Sequence, residues 1–541
     1  TAYEIGVRLV GSEMCIRDSF ISISCKPRER AVDSGIKTQT LHMANGSEPQ
    51  SLDPHIITGI PEDQIVRNIF EGLVVLDPDT TKPAPGSAER WEVLDGGKQF
   101  RFHLRKSLKW SNGDQITAHD FHYSMNRVLS PAIANPYIVL FDGITNATAY
   151  HEGLVTDFEQ VGVKVIDDYT LDILMDEPSP VILTHMTGQY FYPVHKSTIE
   201  KFGVMDERST PWFRPENIVS NGAFALKEWI TNTHVMVEPN PHYWDTDTVK
   251  LKRIYFHAIE SFDTQYRAFE NGQVHVAHYL PQHVIMKLEK ERPPEYISHT
   301  YLGTYFYSFN TKNPPLDNPK VRRAVSLSID RELIVKQVAQ GGQVAAYSFV
   351  PPGANGYEPD YQFEENLEEA KRLLAEAGYP NGEGFPLMSV LFNTSENHRR
   401  IAEAIQQMWK NGLGIDIELQ NMEWKVYLET RDRGDFEIAR AAWVGGTDYA
   451  GYLDILVENS GNNDSKWSNA VFDELYKKSQ TVMDPKLRIK TIQQAESIML
   501  KQMPIAPIYF YTVNYLVDTR VKGWDTNPVD RRFLKDVYLE E

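Results

Sequence analysis

The stretch GTYFYSFN, Gly303–Asn310, has a distant counterpart in PIYFYTVN, Pro507–Asn514. Both are aromatic-rich, strand-like runs, because rings and β-branched side chains suit a pleated surface. Two such runs, about two hundred residues apart in the chain, suit a pair of crossing strands between two bodies. Outward from them the chain alternates helical and strand periods. HRRIAEAIQQMWKNGLG (398–414) places Ile401, Ala404, Ile405, Met408 and Trp409 on one helical face, with Gly412 as its stop and Trp409 in the core. IDIELQN behind it alternates Ile415, Ile417 and Leu419 as a strand. NLEEAKRLLAEAG is a helix capped by Asn366, with Glu369 three residues on and Gly378 at its end. VRRAVSLSIDRELIVKQVA is a further helical stretch, and KLKRIYFHAI and TLDILM are strands. Helices interleaved with strands predict an α/β fold with sheets covered by helices.

At 541 residues with 41% hydrophobic side chains, the chain can bury more than one core, and about 150 residues per domain predicts two to four. A formal net charge of -19 repels nucleic acid and anionic membrane and supplies no basic stripe for phosphates, so nucleic acid is excluded as a partner. No run of 18 apolar residues exists to span a bilayer. The only cysteines are Cys15 and Cys25, which leaves the folded body without a thiol, as suits an oxidising compartment.

GSEMCIRDS, Gly11–Ser19, resembles the translation of a transposon-type sequencing adaptor, so residues 1–19 are set aside from fold reasoning. FISISCKPRER then reads as the end of a signal peptide. Ser24 precedes Cys25, the lipidated first residue in this reading, although Ser22 stands where a leucine is usual.

No motif for covalent chemistry is present: no H-E-x-x-H, Walker loop, G-x-S-x-G elbow or dinucleotide fingerprint. The pairs His119/His122 and His275/His278 have metal-like spacing, but among 16 histidines such pairs arise by chance, and each reads as a solvated histidine. No metal, cofactor or catalytic residue is assigned. More telling are aromatic rings in broken segments: Trp110 in KWSNGD, Tyr137 in NPY, Trp229 in EWITN, and Trp443 and Tyr449 in RAAWVGGTDYAGYLD. Rings on irregular backbone can wall a site by stacking while their polar tips hydrogen-bond, and each taken singly can equally be a turn residue packed on the core.

An ordered series of blocks carries a resemblance. NGSEPQSLDPH, NIFEGLVVLD, HLRKSLKWSNGDQITAHDFHYSMNRVLSP, NGAFALKEW, NPHYWD, the run from Thr304 to Glu332, FVPPG, the run from Phe392 to Trp443, and PIAPIYFYTVNYLV follow one another from about Leu41 to the C-terminus. Together they resemble the extracytoplasmic oligopeptide-binding proteins of bacterial ABC importers, the peptide/nickel type of solute-binding protein. The resemblance implies a periplasmic-binding-protein-like, two-lobed clamp of type II with an additional domain. Lobe one would comprise residues 26–70, 195–300 and 512–541, the additional domain 71–194, and lobe two 301–511. It further implies a monomer that encloses a short peptide and delivers it to a membrane permease. The location would be the periplasm or the outer face of the cytoplasmic membrane, with membrane contact only through a lipid on Cys25.

In this family the peptide is bound much as an added strand. Carried over residue by residue, Thr58-Gly59-Ile60 matches a lobe-one strand bordering the ligand, with Thr58 where many relatives have a carboxylate. Tyr137 matches a ring lining the cleft from the additional domain. His398 and Arg431 match groups that meet the peptide's C-terminal carboxylate, and each can also be a capping or surface-pairing residue. Trp424 and Trp443 match pocket walls. The family pattern places an aspartate shortly after the tryptophan to take the peptide's α-ammonium, and here the segment is one residue shorter and lacks its proline. Two alignments follow. In the first, Asp448-Tyr449 is the displaced anchor pair; in the second, Gly446 stands at the anchor, beside Gly445, and Asp448 is a downstream acidic residue. The first is adopted as the expectation. The alternatives are the same clamp with another solute, such as an opine, a cyclic peptide or a sugar, and, more remotely, a secreted hydrolase; a chaperone or sensor built on the clamp is not separable from these by sequence.

Overall fold

The computed structural model describes residues 29–541 apart from 136, 209, 423, 459 and 525, and for 424, 425 and 432 the backbone alone. The adaptor-like segment and Cys25 lie outside the described residues.

One mixed sheet of eleven strands runs through the molecule. Its order is Ile417–Met422, Met388–Asn393, Ile438–Trp443, Tyr296–Phe309, Ile505–Val517, Val276–Ala277, Thr40–Ala44, Arg253–His257, His234–Pro239 and Phe224–Ile230, with Val344–Ala345 added against Ile505–Val517. The two central strands, 14 and 13 residues long, contain the aromatic runs quoted above. They pair antiparallel in three registers, one of the two shifts falling between Tyr305 and Phe306. Tyr296–Thr300 lie opposite Leu516–Thr512, Thr304–Ser308 lie opposite Phe510–Ile505, and the register shifts between Thr300 and Thr304. Extra residues on one strand of a pair bend and twist it, so Tyr301-Leu302-Gly303 mark a hinge between two half-sheets.

Each half-sheet has its own core. One draws on Ile36–Phe70, Tyr192–Val276 and Tyr515–Leu539, with Leu41, Ile65, Trp212, Val237 and Phe256 buried in it. Another runs from Leu302 to Tyr509 and holds Phe306, Val325, Trp409, Ile438 and Ile508. A third, from Leu73 to Phe191, is built on the antiparallel sheet Ala88–Leu94, Gln99–Leu104, Thr170–Leu174 and Val163–Asp167, covered by helix Ala118–Leu129. The chain is thus an α/β protein of two lobes with an additional domain, and one of the lobe cores draws its residues from three separate stretches of chain.

Local signals translate directly into elements. Asn366 caps helix Leu367–Glu376 by accepting a hydrogen bond from the Glu369 amide at 2.9 Å. Trp409 is fully buried and donates through Nε1 to the Val325 carbonyl at 2.8 Å. Three readings are corrected. Helix Glu396–Leu413 passes through Gly412 and ends at Gly414, whose φ of 74° supplies the left-handed cap. His275 and His278 are buried rather than solvated: His275 accepts from the His42 amide, and His278 lies 3.2 Å from Gln64 and 3.1 Å from Asp530. Trp110 is fully buried in the additional domain's core and walls no site.

Candidate functional site

Strand Ile438–Trp443 runs beside the hinge strand, with Trp443 opposite Thr304 and Arg440 opposite Tyr307. It therefore ends where the two lobes meet, and the loop that follows is pinned there. The Tyr452 hydroxyl donates to the Leu302 carbonyl at 2.6 Å, and Trp443 Nε1 donates to the Gly451 carbonyl at 2.8 Å. A Cβ on Gly445 would lie 2.7 Å from the Tyr452 ring, so only glycine lets the ring seat. Gly446 differs: its φ is +66° and nothing lies within 4 Å of a Cβ built on it.

On the second lobe's side of the hinge sits a cationic cluster. Arg440 is only 8% exposed. Its guanidinium lies 4.7 Å above the Tyr305 ring, donates to the Tyr511 hydroxyl at 2.8 Å, and reaches Asn393 Oδ1 at 3.4 Å. Its Nε has no partner, the groups around it are Tyr511, Tyr305, Tyr427 and Tyr509, and no carboxylate forms an ion pair with it among the described residues. Beside it, the His398 ring stands 5.6 Å from Tyr305 with its buried Nδ1 unpartnered. Burial first, and the charge of Arg440 second, push this imidazole down to about 3, so it is neutral at pH 7. A buried cation without a counter-ion is costly unless a ligand supplies one. A planar fork with an open N–H beside an uncharged imidazole has the chemistry to receive a carboxylate. Tyr511 is the residue of its strand that lies at the register shift, so this receptor stands directly on the hinge.

The residues singled out from sequence divide between site and scaffold. Tyr137, 40% exposed, stacks on Tyr190 at 4.9 Å; the Tyr190 hydroxyl donates to the Ile57 carbonyl at 2.8 Å, next to Thr58. Tyr190 also feels the charges of Asp63 and Arg531, as does Tyr301 at the hinge, so additional domain, first lobe and hinge meet in one neighbourhood. Thr58-Gly59-Ile60, however, is not a strand. Gly59 is the N-cap of helix Ile60–Ile69, and Pro61, with no N–H and a preset φ, fits the first turn. Ile60 is 54% exposed, and the Glu62 carboxylate occupies the space a Cβ on Gly59 would need, its Oε2 2.0 Å from that position.

Asp448 is not a free carboxylate. It caps the turn Tyr449–Tyr452 through the Ala450 amide and forms an ion pair with Arg488 at 2.9 Å, both side chains being nearly buried. Tyr449 is core: it stacks on Tyr357 at 5.5 Å while Arg488 lies 4.7 Å above its ring. Arg431 is likewise paired, with Asp464, and lies over the Tyr427 ring. With Trp443, Phe306 and Leu456 it lines a cavity of about 160 Å³. Trp424 opens helix Trp424–Arg433, and its side chain lies outside the described residues. Sequence reasoning missed Arg440 and Tyr511. A signal for the first was present, since Arg440 is a lone charge inside the apolar strand IARAAW.

Two α/β lobes joined by crossing strands, with an open cationic receptor on the hinge, define a clamp that closes on a small ligand. Residues 82–464 match the family described as bacterial extracellular solute-binding proteins, family 5, and the chain belongs to that family. It is 37% identical over 517 residues to the periplasmic oligopeptide-binding protein OppA of Salmonella typhimurium, covering 93% of this chain and 92% of that one. Among solved structures, the unliganded open form of the murein tripeptide binding protein MppA superposes with a TM-score of 0.84 at 35% identity, over 93% of this chain and 98% of that one. Haemophilus influenzae OppA in complex with the peptide RPPGFSPFR gives 0.70 at 35% identity, over 93% and 99%.

Proposed function

We propose that this protein captures short peptides between its lobes, holds them by the C-terminal carboxylate, and presents them on the extracytoplasmic side to the permease of an ABC importer. The observation that supports the reading is Arg440: a nearly buried guanidinium on the hinge that forms no ion pair with a carboxylate among the described residues. The peptide-binding relatives support the choice of ligand class. In this reading lobe one comprises residues 26–70, 195–300 and 512–541, the additional domain 71–194 and lobe two 301–511.

The chemistry is recognition without bond making. An extended peptide lays its backbone along main chain of both lobes, while hydrated pockets tolerate varied side chains. Its carboxylate meets the Arg440 fork and the edge of His398. Closure about Tyr301-Leu302-Gly303 then excludes water and strengthens that ion pair, so the ligand favours the closed state by its additional contacts there. The test is calorimetric titration with tri- and tetra-alanine. The protein binds both, and Arg440→Gln weakens binding tenfold or more, because the removed charge is desolvated in the complex. Unchanged affinity in Arg440→Gln would sink the carboxylate assignment.

A further inference from the structure

The same cleft offers an oligopeptide's other end no counter-charge. Resting on the peptide reading above, we propose that the clamp recognises its ligand without an α-ammonium, and that its natural ligands are peptides with a blocked, uncharged N-terminus and a free C-terminal carboxylate.

The argument is a census of charge around the hinge. Four carboxylates of the hinge loop and the segments around it are held by cations of the protein. Asp448 is held by Arg488 and the Ala450 amide. Asp464 is held by Arg431, Asp63 by Arg67, and Asp530 by Arg532 at 2.6 Å and His278 at 3.1 Å. Arg440, by contrast, is a nearly buried cation that forms no ion pair with a carboxylate among the described residues. In the loop that follows Arg440 and Trp443, the acid before the turn Tyr449–Tyr452 is Asp448, already paired with Arg488. The loop presents Gly445, whose space is taken by Tyr452, and then Gly446, bare and open. An ammonium enclosed there would lose its water without gaining a partner and would add to the positive charge of Arg440. An acyl or lactam end carries no such charge and can lie against glycine backbone that has no side chain in the way. The asymmetry is chemical: one end of the ligand is read by charge, and the other meets no counter-charge and gains nothing from carrying one.

The experiment compares three forms of one ligand, tetra-alanine with a free N-terminus, N-acetyl-tetra-alanine, and the tetra-alanine C-terminal amide, by titration calorimetry on the intact protein. The acetylated form is expected to bind as tightly as the free form within threefold, or more tightly, and the amide at least tenfold more weakly. A tenfold or greater loss on acetylation overturns the inference while leaving peptide capture intact. Failure of all three forms to bind overturns the peptide reading and this inference with it. A gain-of-function variant sharpens the result. Aspartate is among the residues that tolerate the left-handed backbone of position 446, and the space there is open. Gly446→Asp is expected to favour the free over the acetylated peptide by tenfold or more. A variant that still does not distinguish the two places the ligand's N-terminus elsewhere and overturns the proposal.

Discussion

Two buried arginines, each beside a histidine, show how the same side chain serves architecture in one region and recognition in another. Arg127 joins the additional domain to the first lobe and is fully buried. It grips Asp53 through both terminal nitrogens, at 2.5 and 3.0 Å, lies 2.8 Å from His55 Nδ1, and donates through Nε to the Met205 carbonyl. Every side of the fork is used. Arg440, on the second lobe's hinge, has tyrosine hydroxyls and an asparagine but no anion, and its Nε is open. A charge neutralised in place holds domains together; a charge kept buried but incomplete is, in the function proposed above, met by the ligand's carboxylate.

The largest effect should come from breaking the complete pair. Arg127→Met leaves Asp53 buried and unpaired and is expected to cost about 3–5 kcal/mol in chemical denaturation, whereas replacing both residues by apolar side chains should recover most of it. If the single variant is nearly neutral, the contrast between the two arginines fails. Arg440→Gln should do the reverse, changing denaturation stability by no more than about 1 kcal/mol while weakening peptide binding as described above, because the unliganded site has no anion to strand.

The smallest effect lies in the two imidazoles. Burial first and the neighbouring guanidinium second lower His55 to about 4 and His398 to about 3. Because both native values lie below the ordinary 6.5, the unfolded chain binds more protons between pH 6.5 and those values. Each therefore contributes stability that is complete above pH 6.5 and is lost as pH falls below it. The melting temperature should decline from pH 7 to 5, and His398→Asn should flatten the slope. On peptide binding, NMR should show the His398 titration moving up, as a carboxylate arrives beside it, while that of His55 stays where it was. Equal movement of both would erase the distinction.

Much of this fold was legible in the residues. The aromatic runs at Gly303 and Pro507 are the crossing strands, and the Asn366 cap and the Trp409 stripe are where their patterns put them, because capping and hydrophobic periodicity depend on neighbours within a few residues. Pro61 was equally legible as a helix start, yet resemblance to a strand hid it. In the site, Trp443 and His398 were recognised as residues of interest by motif, whereas Arg440 was passed over inside an apolar strand.

The sequence by itself determined the α/β class and, through ordered blocks that resemble a known family, the two-lobed plan; it also shows a glycine rather than an acid at position 446. Only the tertiary structure decided which charges are already neutralised. Asp448 looks like a free anchor until Arg488 arrives from the helix Pro485–Gln502, and Arg440 looks like one more surface cation until three strands bury it among tyrosines. The physical reason is that helix and strand signals arise from short-range backbone geometry, whereas the state of a charge depends on what lies within a few ångströms in space and on how much water remains.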